Sequence, residues 1–406
     1  MSAYRALYSS NNVLLNFVEF LRKSLDENKH VGCILMDLSK AFDSLNHDLL
    51  LAKLEAYGVS QSACIYLKSY LSHRKQRVKI QDQYSSWNEL KLGVPQGSIL
   101  GPLLFNIFIN DIFLCIDKNV NLYNYADDNT LVFSHKDNHI MKSTLENASM
   151  QAIHWFEINR MQANPTKFQS LYLSKNPDEH VQFHIQNSVL KPENTVTLLG
   201  VHFDNKLAFD DHISHVCKKA AKQVNALRRL AHVLSPSSKL KIFNSFIQSN
   251  FNYCPVVYNT FAKHNIRILE KLHERALRFV LNDFSSTYSD VLINTRKPSL
   301  ALSRLRTIAE QVYKVKHDLA PPFSSSFFQK HETLYDLRRS DILHLPKYNT
   351  VKYGKHSFQY MGAFIWNALP NDIKLASTIL DFKTKIKHWQ GPECNCRNCL
   401  WCDVKL

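Results

Sequence analysis

Residues 121–134, NLYNYADDNTLVFS, hold two short runs suited to strands, NLYNYA and NTLVFS, joined by Asp127-Asp128. That pattern predicts a β-hairpin with acids in its turn. Upstream, VGCILMD (31–37) is a short apolar run that stops on Asp37. It reads as a strand buried on both faces. Adjacent carboxylates on a tight turn repel, and in a partly buried site they need neutralising. An Asp-Asp pair alone is also simply a favourable turn. If Asp37 lies beside the hairpin in one sheet, the three acids can hold two Mg²⁺ ions about 4 Å apart, a layout for in-line attack on a phosphate.

Residues 12–29 read as an amphipathic helix, with Val13, Leu14, Phe17, Phe20, Leu21 and Leu25 at helical spacing. NHDLLLAKLEAYG reads as a helix with Asn46 as its cap and Gly58 past its end, and a second helix covers about 61–72. QRVKIQ and WNELKL are candidate strands, and GVPQGS (93–98) is a loop leading into an apolar helix from about 99 to 114, capped by Ser98. A helix near 144–161, a stop at Asn164-Pro165, the strand KFQSLYLS and a hairpin element around Gly200 follow. Beyond about 208 the pattern turns helical. Residues 212–242 carry Lys218, Lys219, Lys222, Arg228, Arg229, Lys239 and Lys241 with no acid among them. Such a run is a solvated helix face or a contact for nucleic-acid backbone.

Composition sets outer limits. The chain has 406 residues, of which 45% are hydrophobic, enough for two or three domains. Fifty Lys and Arg face 35 Asp and Glu, a formal charge of +15. A surplus of that size favours a polyanionic partner, although a membrane surface attracts the same sign. The opening MSAYRALYSSNN is polar and is no signal peptide, and Ile99 to Ile116, the most apolar stretch, contains Asn106, Asn110 and Asp111 and reads as a buried helix. Cys33, Cys64, Cys115, Cys217 and Cys254 are scattered singly, unlike a secreted disulfide framework. An intracellular protein is expected, in nucleus or cytoplasm, neither secreted nor in a membrane.

The order and wording of the motifs resemble one family. DLSKAFD (37–43), GVPQGSILGPLLFNIFINDI (93–112) and YADD (125–128) are similar to motifs A, B and C of the reverse transcriptases of non-LTR (LINE-type, jockey/CR1/RTE-like) retrotransposons. NPTKFQ holds the lysine of motif D, TLLGVHFD (197–204) resembles the primer-gripping hairpin, and SFQYMGAFIWNALPNDIK (357–374) resembles the tail of the same elements. The resemblance implies an α+β right-hand polymerase fold, with an antiparallel palm sheet flanked by helices and a mainly helical thumb. It implies palm and partial fingers over 1–207, a thumb or connection over 208–330 and a C-terminal segment over 331–406. It implies an RNA-directed DNA polymerase working on RNA template, DNA primer or target and dNTPs.

Under that resemblance Asp37, Asp127 and Asp128 bind two Mg²⁺ ions, Lys167 protonates the departing pyrophosphate, and Phe42 excludes a ribose 2′-hydroxyl. Gln96 and Gly97 touch the nucleotide and template, and Arg77, with Arg74, meets triphosphate or template backbone. Asp43 is expected to cap the following helix. A finger motif with a triphosphate-binding arginine, and an endonuclease, lie before the matched region in the family, so an N-terminally truncated and weakly active chain is expected. The alternatives are an element remnant that only binds nucleic acid, and an RNA-templated RNA polymerase. CNCRNCLWC places Cys394, Cys396, Cys399 and Cys402 within nine residues, at spacings suited to one Zn²⁺ or to a reactive tail.

Overall fold

The computed structural model describes residues 3, 5–230, 232–258, 262–329 and 342–392. Cys394, Cys396, Cys399 and Cys402, the cluster read as a zinc site, lie outside the described residues. The chain divides into two units. The first joins Met1–Ser10 to Asn28–Val196, and the second joins Asn11–Glu27 to Thr197–Leu406.

The first unit is α+β. Its centre is a four-stranded antiparallel sheet in the order β6-β7-β1-β8, where β1 is His30–Met36, β6 Asn121–Tyr125, β7 Asp128–His135 and β8 Gln169–Leu173. Strand β1 is nearly all buried, as its apolar run requires in a central strand. It pairs with β7 from His30↔His135 to Met36↔Asn129 and with β8 from Val31↔Leu173 to Leu35↔Gln169. Helix α6 (Asn138–Ile158) packs on this sheet, and Gly32 makes that possible. A Cβ at Gly32 would stand 2.4 Å from the Leu145 side chain and 2.6 Å from Met141 sulfur. Asp137 caps α6 by accepting the His139 and Ile140 N–H groups, which starts the helix six residues before the expected 144.

Helices α2 (His47–Ala56), α3 (Gln61–Leu71), α4 (Leu100–Ile109) and the short α5 (Ile112–Cys115) complete this unit's core. Asn46 does cap α2, accepting the Leu49 N–H at 3.0 Å, and Gly58 follows its end at φ +86°. The expected single helix to 114 is broken between α4 and α5. Residues 74–90 form two small ladders, β2 (Arg74–Gln76) with β5 (Asn88–Leu90) and β3 (Lys79–Ile80) with β4 (Gln83–Tyr84), rather than one pair of longer strands. A further hairpin, β9 (Phe183–Ile185) with β10 (Ser188–Leu190), buries Phe183 and Ile185 in the same core.

Strands β11 (Thr195–Leu198) and β12 (Val201–Asp204) turn through Gly200 at φ +75°. The second unit is otherwise helical. It contains α1 (Ser10–Asp26), α7 (Asp210–Leu230), α8 (Pro236–Ile242), α9 (Gln248–Asn252), α10 (Lys263–Leu281), α11 (Tyr288–Thr295), α12 (Leu300–Lys316), α13 (Phe358–Asn367), α14 (Asn371–Lys374) and α15 (Ile379–Ile386).

Helix α1 is bound to residues 349–359 through buried charge. Glu19 Oε1 accepts the Phe358 N–H at 2.7 Å, and Oε2 accepts that of Gln359 at 3.1 Å, so its carboxylate sits on the N-terminus of α13. Burial pushes the Glu19 carboxyl up, against the opposing pull of Arg22 and the two amide groups. Arg22 Nη1 donates to the His356 carbonyl at 3.0 Å. Asp26 accepts the Asn349 and Thr350 N–H groups at 2.9 and 2.7 Å and the Thr350 hydroxyl at 2.7 Å. Among the described residues no helix is long and apolar enough to cross a membrane.

Candidate active site

The sheet gathers three of the expected acids at one end. Met36 pairs with Asn129, so the next residue, Asp37, leaves β1 alongside Asp128. Tyr125 pairs with Asp128, which leaves Ala126 and Asp127 as the two turn residues. The turn is therefore one residue earlier than the sequence suggested, and Asp128 opens β7. Side chains alternate along a strand, so Asp37 and Asp128 lie on the face opposite Met36, Asn124 and Asn129. Ala126 adopts φ +55°, a left-handed conformation that alanine rarely takes and that the surroundings must hold.

Electrostatics single out Asp128. Partial withdrawal from water raises its carboxyl above the ordinary range, and repulsion from Asp127 and then Asp37 adds to the rise. All three acids are exposed in surface terms, and none of their carboxylates makes a hydrogen bond or ion pair among the described residues. An acid cluster left bare in this way suits a divalent cation with hard oxygen ligands. The side chains are not yet gathered as a coordination shell. Among the described residues no group of three His, Cys, Asp or Glu stands ready to hold a metal ion.

The GVPQGS loop is tied to the turn after β1. The Gly93 N–H donates to the Leu45 carbonyl at 2.8 Å and the Val94 N–H to the Phe42 carbonyl at 3.0 Å. Gly93 sits at φ +79°, and a Cβ there would stand 2.7 Å from the Asp43 backbone, so this is the position where only glycine permits the approach. Gly97, at φ +80°, has open space around it. Gln96 Nε2 donates to Asp43 Oδ1 at 2.9 Å. Asp43 is thus engaged by the loop and does not cap α2, a task Asn46 performs.

Phe42 is half-buried and stacks on Phe105 of α4, ring centroids 4.3 Å apart. Lys40 is held at φ +52° and, with Asp43, Arg74, Gln76, Gly93, Val94 and Gln96, lines a cleft of about 440 Å³. Arg77 is turned elsewhere. Its guanidinium stacks over Tyr84 at 3.9 Å and Trp87 at 4.5 Å, on the small hairpin. Lys167 ends a short 3-10 turn and is exposed. It stands two residues before Gln169, the partner of Leu35, at the same sheet end as Asp37.

The structure thus brings together Asp37, Asp127 and Asp128, and separately links Phe42, Asp43, Gln96 and Gly93. The sequence reading missed Lys40 as a cleft residue and the buried pair Asn124 and Asn129 under the hairpin tip. An asparagine at matched distance on either side of YADD was the available signal.

The family described as "Reverse transcriptase (RNA-dependent DNA polymerase)" matches residues 5–203. The chain is 23% identical over 294 residues to a probable RNA-directed DNA polymerase from transposon BS of Drosophila melanogaster, covering 68% of this chain and 32% of that protein. It is 26% identical over 290 residues to the RNA-directed DNA polymerase from mobile element jockey of Drosophila funebris, covering 68% and 31%. The chain therefore spans about a third of the length of these relatives. Among solved structures, apo telomerase from Candida tropicalis is similar at TM-score 0.41 and 11% identity, over 96% of this chain and 55% of that one. With its three motifs in order inside the matched span, residues 5–203 are similar to a reverse transcriptase domain, and the chain is similar to the RNA-directed DNA polymerases of the BS, jockey and X-element transposons.

Proposed function

We propose that the chain is an RNA-directed DNA polymerase, adding deoxynucleotides to a primer 3′-hydroxyl at the sheet end formed by Asp37, Asp127 and Asp128. The observation that carries this reading is the register of β1, β6 and β7, with Asp37 following Met36↔Asn129 beside the Tyr125↔Asp128 turn. Asp37, Asp127 and Asp128 are the residues that would hold Mg²⁺ there, and the metal would supply Lewis-acid stabilisation of developing charge. The remaining work falls to the chain's own groups. Phe42, braced by Phe105, blocks the space a ribose 2′-hydroxyl would need. Gln96, fixed through Asp43, and Gly97 face nucleotide and template. Lys167 donates a proton to the departing pyrophosphate. Arg74 and Lys40 supply positive charge to the cleft, and Arg77 belongs to the neighbouring hairpin. RNA template, DNA primer and dNTPs are the partners. Residues of the first unit act as palm and fingers, and helices α7 to α12 act as thumb, with the exposed lysines and arginines of α7 against the nucleic-acid backbone.

Primer extension on poly(rA)/oligo(dT) with dTTP and Mg²⁺, beside an Asp127→Ala control, tests the reading. Incorporation by the unaltered chain that the control lacks is the expected result. Retained primer–template binding with no incorporation would leave a nucleic-acid-binding remnant. Equal use of NTPs and dNTPs would favour an RNA-making enzyme.

A further inference from the structure

Two asparagines lie directly beneath the acidic turn, on the opposite face of the sheet from Asp128. Asn124 and Asn129 are cross-strand partners in β6 and β7, and each is only 1% exposed. Asn124 Nδ2 donates to Asn129 Oδ1 at 2.7 Å and to the Ala126 carbonyl at 3.1 Å. Asn129 Nδ2 donates to the Asp127 carbonyl at 2.9 Å. The two carbonyls so gripped belong to the two turn residues.

Such an arrangement is costly as mere packing. Their neighbours on this face are Leu122, Leu131 and Met36, and an apolar pair would extend that surface. Asn124 Oδ1 is buried without a hydrogen-bond partner among the described residues, a cost usually found where another need overrides stability. What the pair provides is restraint on a turn whose alanine sits at φ +55°. A carboxylate pair meant to meet metal ions must not swing with its backbone, because shifts of about 1 Å at a reacting centre cost roughly a hundredfold in rate.

We propose that Asn124 and Asn129 are positioning residues for the reaction. Their paired amides lock the Ala126–Asp127 turn and thereby fix where the Asp127 and Asp128 carboxylates stand. The proposal rests on the polymerase reading above. It adds a constraint the three acids do not supply themselves, since none of their carboxylates is held by a hydrogen bond among the described residues.

The test uses the full chain and the double variant Asn124→Leu/Asn129→Leu. It removes all three hydrogen bonds while keeping the number and branching of the side-chain heavy atoms, and replacing both partners of a buried pair by apolar groups of like shape can be close to neutral for folding. The single variant Asn129→Leu, which orphans Asn124, shows the cost of breaking only one side. Expected for the double variant are a melting temperature near that of the unaltered chain and an unchanged primer–template Kd. The kcat should fall roughly 10–100-fold, the half-saturating Mg²⁺ concentration should rise, and Mn²⁺ binding, read by electron paramagnetic resonance without nucleotide, should weaken. A double variant with unaltered kcat and unaltered Mn²⁺ affinity overturns the proposal, as does one that loses rate only in proportion to unfolded protein. Asp127→Ala run alongside separates the two levels. If it binds Mn²⁺ as the unaltered chain does, the polymerase reading falls and takes this proposal with it. If it loses Mn²⁺ while the asparagine variants do not, the positioning role falls alone.

Discussion

Acids are used in opposite ways in the two units. At the sheet end of the first unit, Asp37, Asp127 and Asp128 are exposed, close together and without hydrogen bonds to their carboxylates among the described residues. On α1 in the second unit, Glu19 and Asp26 are buried, and each of their oxygens meets at least one donor. A carboxylate whose lone pairs are all taken is finished as a structural element, and its removal leaves other groups stranded. A carboxylate left bare next to two others raises the energy of its own fold, which pays off only when something outside the chain completes it.

That contrast is open to direct attack. Asp127→Ala should cut primer extension about a thousandfold, some 4 kcal/mol of transition-state stabilisation, while leaving the melting temperature nearly unmoved. Steady-state kinetics alongside calorimetry would check both halves, and a large loss of stability would erase the distinction. Glu19→Ala should do the reverse. It leaves Arg22 buried without its 3.6 Å partner and the Phe358 and Gln359 N–H groups without their acceptor, and should destabilise the second unit by about 3–5 kcal/mol. Chemical denaturation would expose a smaller effect if this cluster is incidental.

Gly93→Ala probes the link between the loop and the turn after β1. A side chain at φ +79° that also meets the Asp43 backbone at 2.7 Å should cost about 1–3 kcal/mol, seen in the denaturation midpoint. Phe42→Val should leave folding close to normal and raise incorporation of ribonucleotides relative to deoxyribonucleotides by about tenfold or more, measured as a ratio of kcat/KM values.

The smallest effect concerns Asp128. Its folded pKa is raised, so between the ordinary carboxylate value, about 4, and that raised value the folded state binds more protons than the unfolded state. Stability therefore falls as pH rises through that window and stays lower above it. Asp128→Asn should remove this penalty, raising the melting temperature slightly at pH 7 and converging with the parent chain below pH 4. A variant less stable than its parent at neutral pH would count against a bare, mutually repelling cluster.

The sequence made the first unit legible because its signals are local. The apolar run 31–36 ending on Asp37 and the strand pair around YADD needed only period and turn chemistry, and both stand as elements of one sheet. The turn position slipped by one residue because alanine at positive φ is not a choice propensity would favour. Asp43 was misjudged as a cap because its partner, Gln96, is 53 residues away. Arg77 and Arg74 looked equivalent in SHRKQRVKI. Only the fold of the small hairpin sends one onto Tyr84 and Trp87 and the other into the cleft.

The second unit hid more. The apolar stripe of α1 was visible, but Glu19, Arg22 and Asp26 are not part of it. They are buried because residues 349–359 cover them, over 320 positions later in the chain.

The distance between α1 and its acceptor segment has a consequence for biosynthesis. A ribosome adding about 5–20 residues per second needs roughly twenty seconds to a minute to deliver residues 349–359 after α1 has emerged. Throughout that interval Glu19, Arg22 and Asp26 lack the acceptors and donors of residues 349–359, and for its second half the whole of the first unit's sequence is available to fold. The charges of Glu19, Arg22 and Asp26 keep one side of the waiting helix hydrated, so the groups that later fasten it also protect it from premature association.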